Sequence, residues 1–261
     1  MAIASSTATR AGPQGRRLNG TTGGIQLHLL RGFRLIADGS VVTLPFSLER
    51  VVAYLALARA PISRSRLAGA LWPEVPERRA HGDLRSALWR LQRVCEVVRR
   101  EEHVVALAPE VEVDLARMAD LTRALIDASP ADALGRLPEL VDGAEILPGW
   151  DEEWLVIERE RHRLLRLEAL ERAGEAFLAA NDAVRALDAA LASISSEPYR
   201  ESAHRLLVRI HLAAGNNAEA LRAYRLYRQL LEDELGICPS NQMEELIETV
   251  RPSGGGIAPP P

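Results

Sequence analysis

The sequence predicts a mainly α-helical protein with small β elements, built as two folded domains between two disordered ends. Three observations lead to this prediction. The 261 residues are enough for one to two domains of typical size. Short strand-like patterns flank three helical ones in the first part of the chain, and the second part is helical and repeats itself. We expect a disordered arm over 1–24, domains over 25–115 and 116–250, and a disordered tail over 251–261.

Composition excludes several classes of protein. Hydrophobic residues make up 47% and charged residues 26%, as in ordinary globular proteins. The longest apolar run, over 51–58, is far shorter than the about 20 residues of a membrane-spanning helix. The N-terminus has no apolar secretory segment, and two cysteines supply neither a disulfide framework nor metal-ligand spacing. We therefore expect a cytoplasmic protein with no membrane partner, metal or cofactor.

Charge is divided unevenly along the chain. Residues 1–100 contain 16 arginines and 6 acidic residues, a net charge of +10, whereas residues 101–261 contain 16 arginines and 30 acidic residues, a net charge of −14. The division predicts that only the first part meets a polyanion.

The first domain begins with a predicted β-hairpin and two short helices. Apolar residues alternate within 25–42, and Asp38-Gly39 between two apolar runs is a strong hairpin signal. Ser47 is the expected N-cap of a helix that runs to residue 58. Ser63 is expected to cap a second helix, which ends at Trp72-Pro73 because proline cannot continue it.

A long third helix and a second hairpin complete this domain. A loop over 73–79 leads to a helix predicted over 80–99, and alternation within 103–115 predicts a closing hairpin. Strands, three helices and a hairpin in this order are typical of a winged helix-turn-helix domain.

The third helix has one apolar and one basic face. At 100° per residue, one arc of the helix is apolar and is expected to face the core: Leu84, Ala87, Leu88, Leu91, Cys95 and Val98. The opposite side of the helix carries arginines. Because arginine can hydrogen-bond the guanine edge and clamp phosphates, we predict that this side is a DNA face that lies in the major groove. Its candidate residues are Arg78, Arg79, Arg85, Ser86, Trp89, Arg90, Arg93, Arg99 and Arg100. The alternative is a charged face packed on the acidic half.

Trp89 lies on the polar side of this helix, where an indole is costly to leave in water. Two positions are open: it packs beneath the closing hairpin, or it touches a thymine methyl or a deoxyribose.

The second domain repeats with a period of 34 residues. Ala186-Leu187 and Ala220-Leu221 are separated by that interval, as are the turn formers Asn181 and Gly215. Thirty-four is the period of tetratricopeptide helix pairs. We expect a long amphipathic helix over 150–180 and the segment after Pro239 to complete the core.

Catalytic patterns are absent from the sequence. It contains no phosphate-binding GxxxxGK[ST], no GxGxxG, no HExxH and no metal-binding cysteine pair, and its six histidines are scattered. We expect no enzyme.

The chain resembles the Streptomyces antibiotic regulatory protein family. The strings LHLLRGFRLIADGSVVTLP, SRSRLAGALWPEVPERRA and LRSALWRLQR resemble its response-regulator-type winged helix. The strings LPGWDEEWLVIERERHRLLRLEAL and AAGNNAEALRAYRLYRQLLEDELGICPS resemble its bacterial transcriptional activation domain. This resemblance covers about 85% of the chain. The chain is similar to the small form of the family, which has no ATPase and sensor regions.

The resemblance implies a DNA-binding transcriptional activator of secondary-metabolite genes. Such proteins bind direct repeats in double-stranded promoter DNA as a pair of protomers, and they recruit RNA polymerase through its sigma factor. The helix over 80–99 would be the recognition helix, and the protein would be associated with the nucleoid. The loop that would face polymerase comprises Pro73, Glu74, Val75, Pro76 and Glu77.

Two features depart from the family pattern. The expected wing over 103–114 contains no arginine, so either it contacts little DNA or Arg99 and Arg100 at its base substitute. Tyr227 occupies a place where these repeats carry alanine, which indicates looser packing or a distinct helix contact.

A second function remains open from the sequence: a tetratricopeptide-type protein–protein adaptor with a vestigial winged helix. The balance of seven arginines against Asp83 and Glu96 in residues 78–100 counts against it, because an adaptor needs no basic recognition helix.

Overall fold

The computed structural model describes residues 24–127, 138, 141 and 145–248. The predicted class is confirmed: small β elements and three helices are followed by a helical domain. The predicted tail and all but the last residue of the predicted arm lie outside the described residues. Within the described ranges, no helix is long and apolar enough to cross a membrane.

A four-stranded sheet opens the first domain. Its strands are β1 (Ile25–His28), β2 (Arg34–Ala37), β3 (Ser40–Val42) and β7 (Val111–Val113), in the order β3-β2-β1-β7. The predicted Asp38-Gly39 hairpin is confirmed, since both residues adopt the left-handed conformation that a tight two-residue turn requires. Strand β7 pairs with β1 in parallel.

Three helices follow: α1 (Phe46–Ala58), α2 (Arg64–Leu71) and α3 (Glu77–Val94). Ser63 caps α2 as predicted, and its Oγ accepts the Arg66 N–H at 3.3 Å. The Ser47 cap is wrong: α1 begins at Phe46, and the Pro45 carbonyl accepts the first helical N–H groups.

Helix α3 lies three to five residues N-terminal to its predicted range of 80–99. The Pro76 carbonyl accepts the N–H groups of Arg79 and Ala80, so the first turn starts at Glu77. The helix ends before Cys95, whose backbone is extended. The β-branched residues Val97 and Val98 then favour the extended conformation at the start of β5.

The wing is a three-stranded sheet formed by β4 (Ile62–Ser63), β5 (Val98–Arg100) and β6 (Val104–Leu107), in the order β4-β6-β5. The hairpin predicted over 103–115 is therefore wrong. Strand β6 pairs with β5 rather than with β7, because β7 completes the first sheet instead. The prediction that the wing lacks arginine is corrected too, since Arg99 and Arg100 lie on β5.

The helical domain contains α4 (Asp114–Asp127), α5 (Glu153–Ala179), α6 (Ala183–Ser196), α7 (Glu201–Ala213), α8 (Asn217–Leu235) and α9 (Asn241–Glu248). Helices α5 and α6 form one pair and α7 and α8 a second. Asn181 and Gly215, 34 residues apart, both adopt left-handed conformations in the turn between paired helices. The predicted repeat is confirmed. Helices α5 and α7 approach closely at Gly174, where a Cβ would lie 2.6 Å from Leu206 Cδ2.

Tyr227 makes a distinct helix contact rather than a loose one. Its ring stacks on His204 of α7 with centroids 4.1 Å apart, and its hydroxyl donates to the Tyr199 carbonyl at 3.3 Å. Burial raises the pKa of Tyr227 to about 12 and lowers the pKa of His204. Both rings therefore stay neutral near neutral pH and hold α8 against α7.

The backbone joins the helical domain to the winged helix. Leu147 donates its N–H to the Leu29 carbonyl at 2.8 Å, and Arg31 donates its N–H to the Glu145 carbonyl at 2.9 Å. The Asp114 carboxylate accepts the N–H groups of Leu29 and Leu30 at 3.0 Å each. The residues that directly follow β1 are thus bonded to the helical domain.

Side chains complete this junction. Arg50 of α1 donates to the Leu71 carbonyl at 2.7 Å and to Glu152 Oε2 at 2.8 Å. Trp150 contacts the rings of Phe33 and Phe46. Three buried residues that follow α4 in the chain, Ile146, Leu147 and Leu155, belong to the core of the winged helix.

Candidate nucleic-acid interface

The orientation of α3 is set by its apolar side. The residues that pack in the core of the winged helix, each at most 2% exposed, are Ala80, Leu84, Ala87, Leu88 and Leu91. Four of them belong to the predicted arc, and Ala80 extends it by one turn. The other two predicted members, Cys95 and Val98, lie beyond the end of the helix. Burying this arc turns the opposite, basic side outward.

All nine predicted DNA-face residues are exposed: Arg78, Arg79, Arg85, Ser86, Trp89, Arg90, Arg93, Arg99 and Arg100. Across the part of the chain that the structure describes, the five arginines of α3 have no ion-pair partner. They are not packed on the acidic half, so that alternative is wrong. We use the name arginine surface for Arg78, Arg79, Arg85, Arg90 and Arg93 of α3 together with Arg99 and Arg100 of β5.

Trp89 stands in the middle of this surface. Its side chain is 55% exposed, so its predicted packing beneath the closing hairpin is wrong. The Arg93 guanidinium lies over the indole, 4.8 Å from the ring centroid, at a distance typical of a cation–π contact. This contact shields one indole face and orients Arg93.

The wing continues the surface beyond α3. Arg100 of β5 donates to the side chain of Gln92 on α3, and Arg99 lies 3.9 Å from the Glu101 carboxylate. Arg64 of α2 holds the tip of the wing, because its N–H donates to the His103 carbonyl and its guanidinium to the Glu101 carbonyl, each at 3.2 Å. Helix and wing therefore present one basic surface.

The segment predicted to face polymerase lies at the start of α3. Pro73, Glu74, Pro76 and Glu77 are exposed, whereas Val75 is half-buried and donates its N–H to the Trp72 carbonyl at 3.4 Å. Glu77 is the first residue of α3 rather than part of the loop. The exposed part carries two carboxylates and is the acidic neighbour of the arginine surface.

Sequence reasoning missed Gly82. It lies in the basic side of α3, and a Cβ placed on it would have nothing within 4 Å. Glycine inside a helix costs about 1 kcal/mol relative to alanine, and no packing in the free protein explains it here. The signal was available, because a helix-interior glycine on a polar face indicates close approach by something outside the chain.

The chemistry of this region is that of anion binding. The described residues contain no cluster of three residues able to hold a metal ion. Cys95, next to the arginine surface, is a free cysteine, and burial, with a smaller contribution from Asp38, raises the pKa of its thiol. It remains a protonated thiol and a poor nucleophile at neutral pH.

Comparison with known proteins identifies a family for the second half of the chain. Residues 113–251, more than half of the chain, match the family described as bacterial transcriptional activator domain. The chain is 28% identical over 250 residues to the Regulatory protein AfsR of Streptomyces coelicolor, a match that covers 91% of this chain and 25% of that protein. It is 26% identical to the Regulatory protein AfsR of Streptomyces griseus, over 88% of this chain and 24% of that protein. The chain thus spans about a quarter of the length of these relatives.

A solved structure shares the fold. The structure of Mycobacterium tuberculosis EmbR in complex with a low affinity phosphopeptide matches with a TM-score of 0.72 at 22% identity, over 87% of this chain and 65% of that chain. The chain therefore belongs to the bacterial transcriptional activator domain family, as a transcriptional regulator of the Streptomyces antibiotic regulatory protein type.

Proposed function

We propose that this protein is a sequence-specific DNA-binding activator of secondary-metabolite, antibiotic-type biosynthesis genes. The observation that carries the proposal is the exposed arginine surface. Its five α3 arginines have no ion-pair partner among the residues that the structure describes, and they lie on a helix whose other side is buried. A helix of about 10–12 Å diameter fits the major groove of B-DNA, which is about 12 Å wide.

The residues of the surface divide by position. Arg85, Arg90 and Arg93 lie on the outward sides of α3 and contact bases and phosphates in the groove. Arg78 and Arg79, in the first turn, contact phosphates at its rim. Arg99 and Arg100 on the wing reach the adjacent DNA backbone or minor groove. They supply the arginines that the expected wing over 103–114 lacks.

Ser86 and Trp89 lie between these arginines. The Ser86 hydroxyl donates to the Gly82 carbonyl at 3.0 Å and can turn to a base or phosphate. The exposed indole of Trp89 contacts a thymine methyl or a deoxyribose, since both are apolar surfaces in the groove.

Assembly follows the type to which the chain belongs. Two protomers bind direct repeats near a promoter as a homodimer on DNA, each placing α3 in one repeat. A boundary at 115/116 then separates the DNA-binding unit from the activation domain that orients it, and a boundary at 250/251 ends that domain. We place the protein in the cytoplasm, on the nucleoid.

The acidic segment beside α3 is the proposed contact for RNA polymerase and its sigma factor. This segment comprises Pro73, Glu74, Val75, Pro76 and Glu77 and lies close to the DNA face. Because its two carboxylates repel phosphate, the segment stays free for a protein partner on the same promoter. The adaptor alternative leaves the arginine surface without a role and is less well supported.

Replacing Arg85 or Arg93 by alanine is expected to cost about 1–3 kcal/mol of DNA binding each, because each removes a base contact. Fluorescence anisotropy measures this loss of affinity, with DNA fragments from the promoters that flank the gene of this protein. Arg228→Ala, an exposed arginine of α8, is the control and is expected to bind like the unchanged protein. Full affinity in the variants at 85, 90 and 93 alike would refute the proposed face.

Replacing Gly82 by alanine is expected to separate stability from binding. The free energy of unfolding rises by about 0.5–1 kcal/mol, because alanine is the better helix former, whereas DNA affinity falls severalfold because a methyl group now meets the groove. Gly69→Ala on α2, also in open space, is the matched control and gains stability without loss of affinity. Equal affinity of the two variants would show that α3 does not approach DNA at Gly82.

Replacing Glu74 by alanine is expected to lower transcription in vitro severalfold with purified polymerase holoenzyme. DNA affinity does not fall and rises slightly, because the residue contacts no DNA and its carboxylate repels phosphate. Glu234→Ala on α8 serves as control. Unchanged transcription from the Glu74 variant would place the polymerase contact elsewhere.

A further inference from the structure

A cavity opens behind the wing, on a part of the molecule that the proposed function does not use. It has a volume of about 470 Å³ and lies between the end of α1, strands β6 and β7, and the start of α4. Binding sites for small molecules measure about 300–1,000 Å³. The cavity is open to solvent on one side and is large enough to admit a small organic molecule.

The walls of the cavity are mostly apolar. Leu55, Val111, Val113 and Leu115 are buried and form its floor, and Leu107 of β6 is half-buried beside them. An apolar body seated here would be removed from water without displacing any charged group from the floor.

The rim of the cavity is basic. Three arginines line it, Arg59, Arg99 and Arg123, against one lining carboxylate, Glu101. Arg123 pairs with Asp120 at 3.0 Å, and Arg99 lies 3.9 Å from Glu101. Arg59 has no ion-pair partner among the residues that the structure describes.

Arg59 is also held in an unusual conformation. It ends α1 with φ of 53°, in the left-handed region that glycine favours. An arginine there accepts conformational strain, and strained residues cluster at ligand clamps. The rim of the cavity therefore includes a cation that has no ion-pair partner among the described residues.

We propose that this cavity binds an amphipathic small molecule with an anionic head, such as a carboxylate on an aliphatic or aromatic body. The body lies on the apolar floor, and the carboxylate pairs with Arg59 at the rim. Charge complementarity selects this occupant over the N-terminal segment 1–23. That segment contains three arginines and no acidic residue, so the rim repels it.

The site has a consequence for DNA binding, and this step rests on the proposed function. Arg99 lines the cavity and also belongs to the arginine surface. A bound carboxylate draws the Arg99 guanidinium toward the cavity and away from phosphate. Occupancy of the cavity therefore lowers the affinity for DNA.

Binding to the full chain without DNA tests the site itself. The probes are 8-anilinonaphthalene-1-sulfonate, followed by fluorescence, and decanoate, which competes for the same site. We expect one saturable probe site per chain. Ala116→Trp fills the cavity and abolishes binding, and Arg59→Gln weakens it about fivefold, as expected for one partly exposed ion pair.

Matched controls lie outside the cavity. Ala218→Trp on α8 and Arg117→Gln on α4 alter exposed residues that do not line it, and both are expected to bind the probe normally. If the Ala116→Trp variant does not fold, the Arg59→Gln variant still tests whether the cavity binds the probe, because residue 59 is exposed. Equal probe binding by Arg59→Gln and Arg117→Gln, or several weak sites per chain, overturns the proposal.

A second measurement separates this inference from the proposed function. Saturating decanoate is expected to lower the DNA affinity of the unchanged protein severalfold and to leave that of Arg59→Gln much less affected. Normal DNA binding with no probe binding overturns the cavity site alone. Probe binding by a protein that retards no promoter fragment supports the site and refutes the proposed function. Probe binding with unchanged DNA affinity overturns the role of Arg99.

Discussion

One-sided burial of α3 is the constraint on which the rest of the structure depends. Its leucine and alanine arc fills the core of the winged helix, and that packing fixes the rotation of the helix about its axis. Arg85, Trp89 and Arg93, four residues apart, must then point outward together. An exposed basic surface thus follows from an apolar contact on the opposite side of the same helix.

The helical domain is joined to this unit by shared packing rather than by a free linker. The backbone pairing of Leu147 with Leu29, the Asp114 carboxylate on the edge of β1 and the Arg50–Glu152 ion pair all act at one junction. Trp150 lies between aromatic rings of the winged helix. This junction holds α3 and the tetratricopeptide-like helices in a set relation.

Sequence predicted what short-range chemistry decides. The Asp38-Gly39 turn, the Ser63 cap, the apolar arc of α3 and the 34-residue repeat depend on neighbours along the chain, and all are confirmed. The wing could not be predicted in this way, because its strands pair with residues that are distant in the sequence. Strands β6 and β7 have similar apolar sequences, and β7 pairs with β1 instead of with β6. The exposure of Trp89 could not be predicted either, because it depends on where the wing lies.

The salt dependence of binding to a promoter fragment is the sharpest test of whether the arginine surface lies against DNA. Contacts to phosphate release counterions, so they make the affinity depend on salt. With seven arginines on the exposed surface, the logarithm of the association constant is expected to fall linearly with the logarithm of salt concentration, with a slope of about −4 to −6. A slope near zero would mean that the arginine surface does not lie against DNA, and it would contradict the account.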